Sequence, residues 1–484
     1  MPELLLAIDV GTTTVRAVVF SPDGAPVAMA ATPTVSRMPR PGWLEQDAGR
    51  VWRSVRRVIA KALAGAGRLP ADIAAVGVTS QRTSAVVWDR ATGAPLSPLV
   101  VWSDLRGLER SAELRAAGFF VAPQQAAAKL EQVLASVEGA KQLGRQRRLA
   151  WGNIDSYVIW KLSGGAAHIT DASQAWPTGY LDPSTMTWNQ ALIAHQSLDE
   201  STFPRLVDTW GPLAAASARV FGAKVPICAD VADQQSALIA HGDEPGGAKF
   251  TYGTSATLDL STGAEFLYKS PASPPFIVSS VARATRFCLE SMIISGGSAL
   301  DWLRRACALG GHGRFEALAA SVPDAAGAAF LPALQGLGSP YGDASRRGLL
   351  AGLNPSVSPA HIARAGMEGL AFRAREALEH LYGLTGFALP EALGVDGGVA
   401  SNDTFLQVQA DMLGRPVRRH ATLEATACGA ALCAGRGAGV LSPGNVGHFV
   451  RYDKTFEPRI GADEAQARFN QWRSLVYPQE HAPP

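Results

Sequence analysis

Cysteine is scarce in this 484-residue chain, and the five present, at 228, 288, 307, 428 and 433, form no CxxC pair and no His-rich ligand spacing. An odd, scattered set in so long a chain argues against a disulfide framework and for reduced, structural thiols. Charge of one sign is also lacking, since 44 basic residues against 42 acidic ones leave a formal +2. That balance removes the electrostatic case for nucleic acid or a membrane surface as the main partner and leaves a small, local ligand as the expectation. No apolar run reaches the roughly 18 residues of a bilayer span. The chain opens on a strand instead of a basic, then apolar, then small-residue leader, so the cytoplasm is the expected location. Common phosphate-binding signatures are missing too: no GxxxxGK[ST] stretch opens a helix, and no GxGxxG is followed by an acidic residue at dinucleotide spacing. Protein-kinase motifs are likewise absent.

What is there is a globular composition, 47% hydrophobic and 18% charged. The chain is longer than the roughly 250–300 residues at which single cores stop growing, which predicts two or more domains. Near the start, Leu4–Phe20 reads as two apolar runs of strand length flanking the polar turn Asp9-Val10-Gly11-Thr12-Thr13-Thr14. A carboxylate, a conformationally free glycine and three hydroxyls beside exposed N–H groups suit a phosphate and its magnesium ion, with Arg16 in reach of the same charge. An ordinary hairpin turn would use the same residues.

Asp47 is a plausible helix N-cap, and Val51, Trp52, Val55, Val58, Ile59 and Leu63 after it keep helical spacing up to Gly65 and Gly67. Strands are predicted over Ile73–Thr79, Ser84–Asp89 and Leu99–Trp102, the breaks after the first and last carrying Arg82 and Asp104; strand ends are where open α/β sheets build sites. Helices are predicted over Ala126–Val137 and Asp155–Leu162, whereas 163–213 is rich in turns and carries no clear pattern. A short strand, Pro226–Ala229, leads to Asp230-Val231-Ala232-Asp233-Gln234-Gln235, and His241–Gly247 reads as a linker. A second strand-turn-strand unit follows, Lys249–Leu260 with Gly253-Thr254-Ser255 at its turn. Gly11 and Gly253 lie 242 positions apart (253 − 11), half the chain, which suggests a duplicated fold. Gly296-Gly297 and Gly397-Gly398 each sit between a strand and a helix, a pattern that admits a ligand close to backbone. The small-residue helix over Thr426–Ala434 reads as close packing.

Taken in order, IDVGTTTVRAVVF, PGWLEQD, VGVTSQR, VVWDRATGAPL, IDSYVIWKLSGG, ADQQSAL, TYGTSATL, LPALQGLGSPYGDASRRGLLAGL and VDGGVASNDTFLQVQADMLG resemble the FGGY carbohydrate kinases over nearly the whole chain. The resemblance implies an α/β protein of two actin-like (ribonuclease H-like) domains, 1–243 and 244–484, with a central cleft. It implies transfer of the γ-phosphoryl group of ATP to a terminal hydroxyl of a sugar or polyol, with Mg2+, and leaves a homodimer open. By the same carry-over Asp233 is the general base and Asp9 positions magnesium through water. Gly11, Thr12, Thr13 and Arg16 face the transferring phosphate, Gly253 and Thr254 hold the polyphosphate, and Gly297, Gly398 and Asn402 surround the nucleoside. The acceptor side comprises Arg82, Thr83, Trp102, Asp104, Gln124 and Gln234. A nucleotide-binding regulator that has lost turnover is the competing reading, and the retention of Asp9, Gly11, Thr13, Arg16 and Asp233 favours catalysis.

The sequence departs from the branch of that family that acts on glycerol. There a glutamate follows the arginine, where this chain has Thr83, and a tyrosine aligns with Gln124; Lys129-Leu130-Glu131-Gln132 also lacks that branch's tryptophan. Trp102-Ser103-Asp104-Leu105-Arg106 instead resembles the W-[ND]-x-x-R pattern of xylulokinase-like members, in which an acidic or amide side chain meets a sugar hydroxyl. Losing hydrogen-bond partners for hydroxyls counts against glycerol and for a larger polyol or ketose, such as erythritol, xylulose or ribulose.

Overall fold

The computed structural model describes residues 3–441 and 443–477, and they gather into two compact units. The first comprises Met1–Ala240, Phe276–Arg286 and Thr426–Phe449; the second comprises His241–Pro275, Phe287–Ala425 and Val450–Pro484.

In the first unit the apolar runs fold as β1 (Leu4–Val10) and β2 (Thr14–Phe20), and the turn residues join them as an antiparallel hairpin. Burial of Leu6, Ile8, Val10, Val15, Ala17 and Val19 anchors this hairpin in the core. Next come β3 (Pro26–Pro33) and helix α1 (Ala48–Gly65), whose N-cap Asp47 accepts a hydrogen bond from the Arg50 N–H. Val51, Val55, Val58, Ile59, Ala62 and Leu63 turn one face of α1 into the core. Strands β4 (Ile73–Ser80), β5 (Trp210–Ala216) and β6 (Val225–Ala232) complete a six-stranded sheet in the order β5-β6-β4-β1-β2-β3, and helix α2 (Asp233–Ala240) leaves directly from β6.

The second unit repeats this plan. Strands β7 (Ala248–Tyr252) and β8 (Ala256–Gly263) form its antiparallel hairpin. The chain continues through β9 (Pro275–Val281), β10 (Ala284–Ile293), α3 (Gly297–Ala306), the long α4 (Pro359–Thr385), β11 (Leu393–Asp396), α5 (Asp403–Leu413), β12 (Val417–His420), α6 (Ala425–Gly437) and β13 (Tyr452–Phe456). Its sheet has seven strands, in the order β13-β12-β11-β7-β8-β10-β9, and all but the edge strand β9 match the first sheet in order. In each sheet the first hairpin strand is antiparallel to its partner and parallel to the strand on its other side. The next pair outward is parallel and the last antiparallel in both.

Two segments from the C-terminal half of the sequence belong to the first unit, where contiguous halves were expected. The reason is visible at α6. A Cβ on Gly429 would lie 1.8 Å from the Ser236 carbonyl oxygen, and one on Gly77 would lie 2.3 Å from that of Ala430, so only small residues let this helix sit against α2 and β4. The helix expected over Ala126–Val137 is a short turn, Ala126–Ala128, followed by Leu130–Ala135. Its break is Lys129, whose ammonium is drawn inward to the carbonyls of Val101 and Trp102. The strand expected over Leu99–Trp102 shortens to Leu99–Val100, and the one expected at Pro226–Ala229 extends to Val225–Ala232. Four of the five cysteines, Cys228, Cys288, Cys428 and Cys433, are buried and Cys307 is half-buried. Among the described residues no helix is long and apolar enough to cross a membrane.

Candidate active site

The register of β1 and β2 sets Asp9 opposite Arg16, and the guanidinium reaches the carboxylate at 3.2 Å. At the turn the Gly11 N–H donates to the Thr14 carbonyl at 3.1 Å, and Thr13 stands exposed at the tip. Thr12 is held from several sides. Its hydroxyl donates to Gln81 Oε1 and accepts from the Trp102 indole N–H, each at 3.0 Å, while its carbonyl accepts from the Gln46 amide at 2.8 Å. Its side chain therefore fastens the turn to Trp102, and what Thr12 offers a ligand is backbone. Ser84 closes the network, donating to Gln81 at 3.0 Å and accepting from the Trp102 backbone N–H at 3.1 Å. Gln81 and Gln46 were not singled out from sequence, because nothing in their spacing marks them as hubs. Beneath Trp102, burial pushes the Lys129 ammonium down to about 7.

The end of β6 presents the second group. Asp233 opens α2, where the helix terminus favours a negative charge. Its Oδ1 accepts from the Gln234 N–H at 2.9 Å and faces Arg82 Nε at 3.7 Å. Both side chains stay within reach of solvent, Arg82 at 13% and Asp233 at 24% exposure. The Arg82 guanidinium lies 4.4 Å above the Phe276 ring. Phe276 was missed from sequence, since it stands 194 positions from Arg82 (276 − 82) in a proline-rich stretch.

Three expected acceptor residues are placed otherwise. Asp104 is fully buried. One of its oxygens accepts from the backbone N–H and Nε of Arg106, both at 2.9 Å, and the other from the Leu44 N–H at 2.5 Å and Arg106 Nη2 at 2.9 Å. With four donors its carboxylate is saturated, so Asp104 locks Arg106 and is corrected from sugar ligand to structural anchor. Arg106 in turn pairs with Glu45 at 2.7 Å and stacks on Trp43 at 3.9 Å. Thr83, at φ 52°, is buried and gives its hydroxyl to the Gln124 carbonyl at 3.1 Å. Gln124 is exposed, and what it contributes to that contact is backbone.

In the second unit the corresponding turn is built from backbone. Gly253 N–H donates to Ser255 O at 2.9 Å, and Gly253 O accepts from the Gly297 N–H at 2.9 Å. Thr254 O accepts from the N–H groups of Gly296 at 3.0 Å and Ser298 at 3.1 Å. A Cβ on Gly297 would fall 2.6 Å from Gly253 O and 2.8 Å from Val399 Cγ2. One on Gly397, whose φ is 88°, would fall 2.6 Å from Tyr252 O. Gly398 faces open space, and Asn402 caps α5 by accepting from the Phe405 N–H at 2.8 Å. Gly253, Thr254, Gly297 and the Gly397-Gly398 pair are thus brought to one place.

No group of three or more His, Cys, Asp or Glu side chains among the described residues is arranged to hold a metal ion. Magnesium that arrives with a polyphosphate needs only one or two carboxylates, its other ligands being phosphate and water, and Asp9 beside the turn fits that demand.

The family model for the N-terminal domain of the FGGY family of carbohydrate kinases matches residues 4–240, and that for the C-terminal domain matches 248–438. The chain belongs to this family. It is 37% identical to a glycerol kinase of Geobacter sp. (strain M21) over 486 residues, covering 98% of each chain. Among solved structures, the glycerol kinase of Plasmodium falciparum with ADP superposes with a TM-score of 0.88 at 23% identity over 97% of both chains, a likeness of fold. The xylulose kinase of Rhodospirillum rubrum gives a TM-score of 0.81 at 25% identity over 98% of both. As an FGGY kinase the chain is an ATP-dependent carbohydrate kinase, a phosphotransferase that uses an alcohol group as acceptor and works with ATP and Mg2+.

Proposed function

We propose that the acceptor is a small polyol or ketose, phosphorylated on a terminal hydroxyl, with Asp233 as general base. The observation that carries this reading is the convergence of Asp233 and Arg82 at 3.7 Å, both partly open to solvent at the strand ends of the first unit. A hydroxyl is a poor nucleophile, and a carboxylate in hydrogen-bond reach takes its proton as the γ-phosphoryl group transfers. Arg82 holds the acceptor's remaining hydroxyls. Arg16 and the backbone of Gly11, Thr12 and Thr13 face the charge that spreads over the phosphoryl oxygens, while Gly253, Thr254, Gly297, Gly398 and Asn402 hold the nucleotide. Magnesium, held through Asp9, supplies charge neutralisation of the phosphates.

We further propose an acceptor with more carbons than glycerol. No second carboxylate joins Arg82 at position 83, and the Thr83 hydroxyl is committed to the Gln124 backbone. The alternative acceptor is glycerol, which the names of the curated relatives favour. ATP-coupled turnover measured on glycerol, erythritol, xylulose, ribulose and gluconate tests both. The highest kcat/KM is expected on a four- or five-carbon acceptor. A clear preference for glycerol would sink the size argument, and turnover on none of the five would leave the regulator reading standing.

A further inference from the structure

Arg82 is a planar cation whose five donors lie in one plane, so its orientation decides which hydroxyls it can meet. Two contacts fix that plane. Its Nε edge faces Asp233 Oδ1 at 3.7 Å, and one of its faces lies 4.4 Å over the Phe276 ring. Phe276 comes from β9, and the segment Phe276–Arg286 clusters with the first unit. That segment is latched there: Ser280 N–H donates to Thr209 Oγ1 and Thr209 N–H to Ser280 O, both at 2.9 Å, and the Ala282 N–H donates to Asp208 at 3.2 Å. The Thr209 hydroxyl is itself tied to buried Asp171 at 2.8 Å. Ring, latch and guanidinium therefore form one continuous support running from the β5 end to the base.

We infer that Phe276 is a positioning residue that sets acceptor specificity through Arg82, its aromatic ring fixing the guanidinium plane and closing one of its faces to the acceptor. The inference rests on the acceptor site proposed above. An acceptor can approach Arg82 only by the remaining face and edge, and the ring shields the cation from water on the covered side, which strengthens its bonds to the acceptor's hydroxyls.

Steady-state kinetics of Phe276→Leu, Phe276→Ala and Phe276→Tyr across the five acceptors test it. Phe276→Leu keeps apolar bulk without the π face, and Phe276→Tyr keeps the π face. The leucine and alanine variants are expected to raise the KM for the preferred acceptor about threefold to thirtyfold, the range that a cation–π contact supplies. Their KM for ATP should stay within about twofold, their acceptor ranking should flatten, and the tyrosine variant should restore the wild-type pattern. A leucine variant with the wild-type acceptor KM and ranking would overturn the inference. So would a parallel shift of the KM for ATP, the acceptor KM and kcat, which marks general loosening. A wild-type enzyme that phosphorylates none of the acceptors defeats the proposed function, and this inference with it, before any variant is read.

Discussion

The two hairpins share one plan and differ in what they do with it. Both join their strands through three residues, Gly11-Thr12-Thr13 and Gly253-Thr254-Ser255, and both sit in sheets of matching strand order. Around the first, side chains do the holding: Asp9 with Arg16, Thr12 with Gln81 and Trp102, Arg82 with Asp233. Around the second, glycine backbone meets glycine backbone, and several Cβ positions are already occupied by carbonyls. A duplicated fold has thus come to hold one hairpin by side chains and the other by backbone.

The largest expected effect lies around the hairpin held by side chains. Asp233→Asn should lower kcat by about 10²-fold or more, the scale of a lost general base, while leaving the affinity for ATP, read by calorimetric titration, nearly unchanged. A variant that keeps most of its turnover would break the comparison at its first term. The hairpin held by backbone is probed by Gly397→Ala. A methyl group there meets Tyr252 O at 2.6 Å on a backbone at φ 88°. Strain and overpacking together should cost about 2–5 kcal/mol, visible as a lower Tm, with a weaker ATP affinity in the folded fraction. Unchanged Tm and ATP affinity would mean that the second hairpin does not depend on close backbone approach.

Most of the architecture could be read from local pattern, because it is written locally. The alternation in Leu4–Phe20, the Asp47 cap and the repeated Gly-Thr turns need no distant residue to be understood. What escaped reading depends on partners far away in sequence or on competition between neighbours. Phe276 finds Arg82 across 194 positions, and the segments Phe276–Arg286 and Thr426–Phe449 join the first unit through contacts that no periodicity reports. Asp104 offers the opposite lesson. Its residue type suited a hydroxyl ligand, but Arg106 two positions on captured the carboxylate and carried it into the interior. Thr83 was visible as a departure, though not that its hydroxyl would turn toward the Gln124 backbone.

The smallest effect concerns how each unit stores buried charge, and it sharpens the comparison in a second currency. In the first unit Asp155, Asp171 and Asp230 are fully buried together; the Asp171 N–H donates to Asp230 at 3.1 Å, and Thr170 and Thr209 donate to Asp155 and Asp171 at 2.8 Å each. Burial pushes Asp155 up to about 6 and Asp171 up to about 7, and burial plus its two carboxyl neighbours raises Asp230 well above its ordinary value. In the second unit a buried lysine charge and a histidine hydrogen bond offset the burial. Lys249 sits 2.8 Å from Asp259, and His241, 2.9 Å from Asp396, is lowered to about 4 by burial. Although burial opposes it, the bond from His241 and the charge of Lys249 hold Asp396 below its ordinary value. The signs are opposite. Raised carboxyls keep protons that the unfolded chain has released, so their contribution is full below about pH 4 and, for Asp155 and Asp171, is lost as pH rises through about 6–7, by up to about 1.4 kcal/mol per pH unit per proton. The lowered His241 gains stability as pH rises between about 4 and 6.5. His168 in the first unit, lowered to about 3 by burial, shares that sign, so the carboxyl term is isolated by difference. Asp230→Asn removes one acid from the cluster and keeps an acceptor in its place. Its Tm relative to wild type should therefore climb from pH 5 to pH 8, and a difference that stays flat across that range would show that the cluster holds no proton in the folded protein.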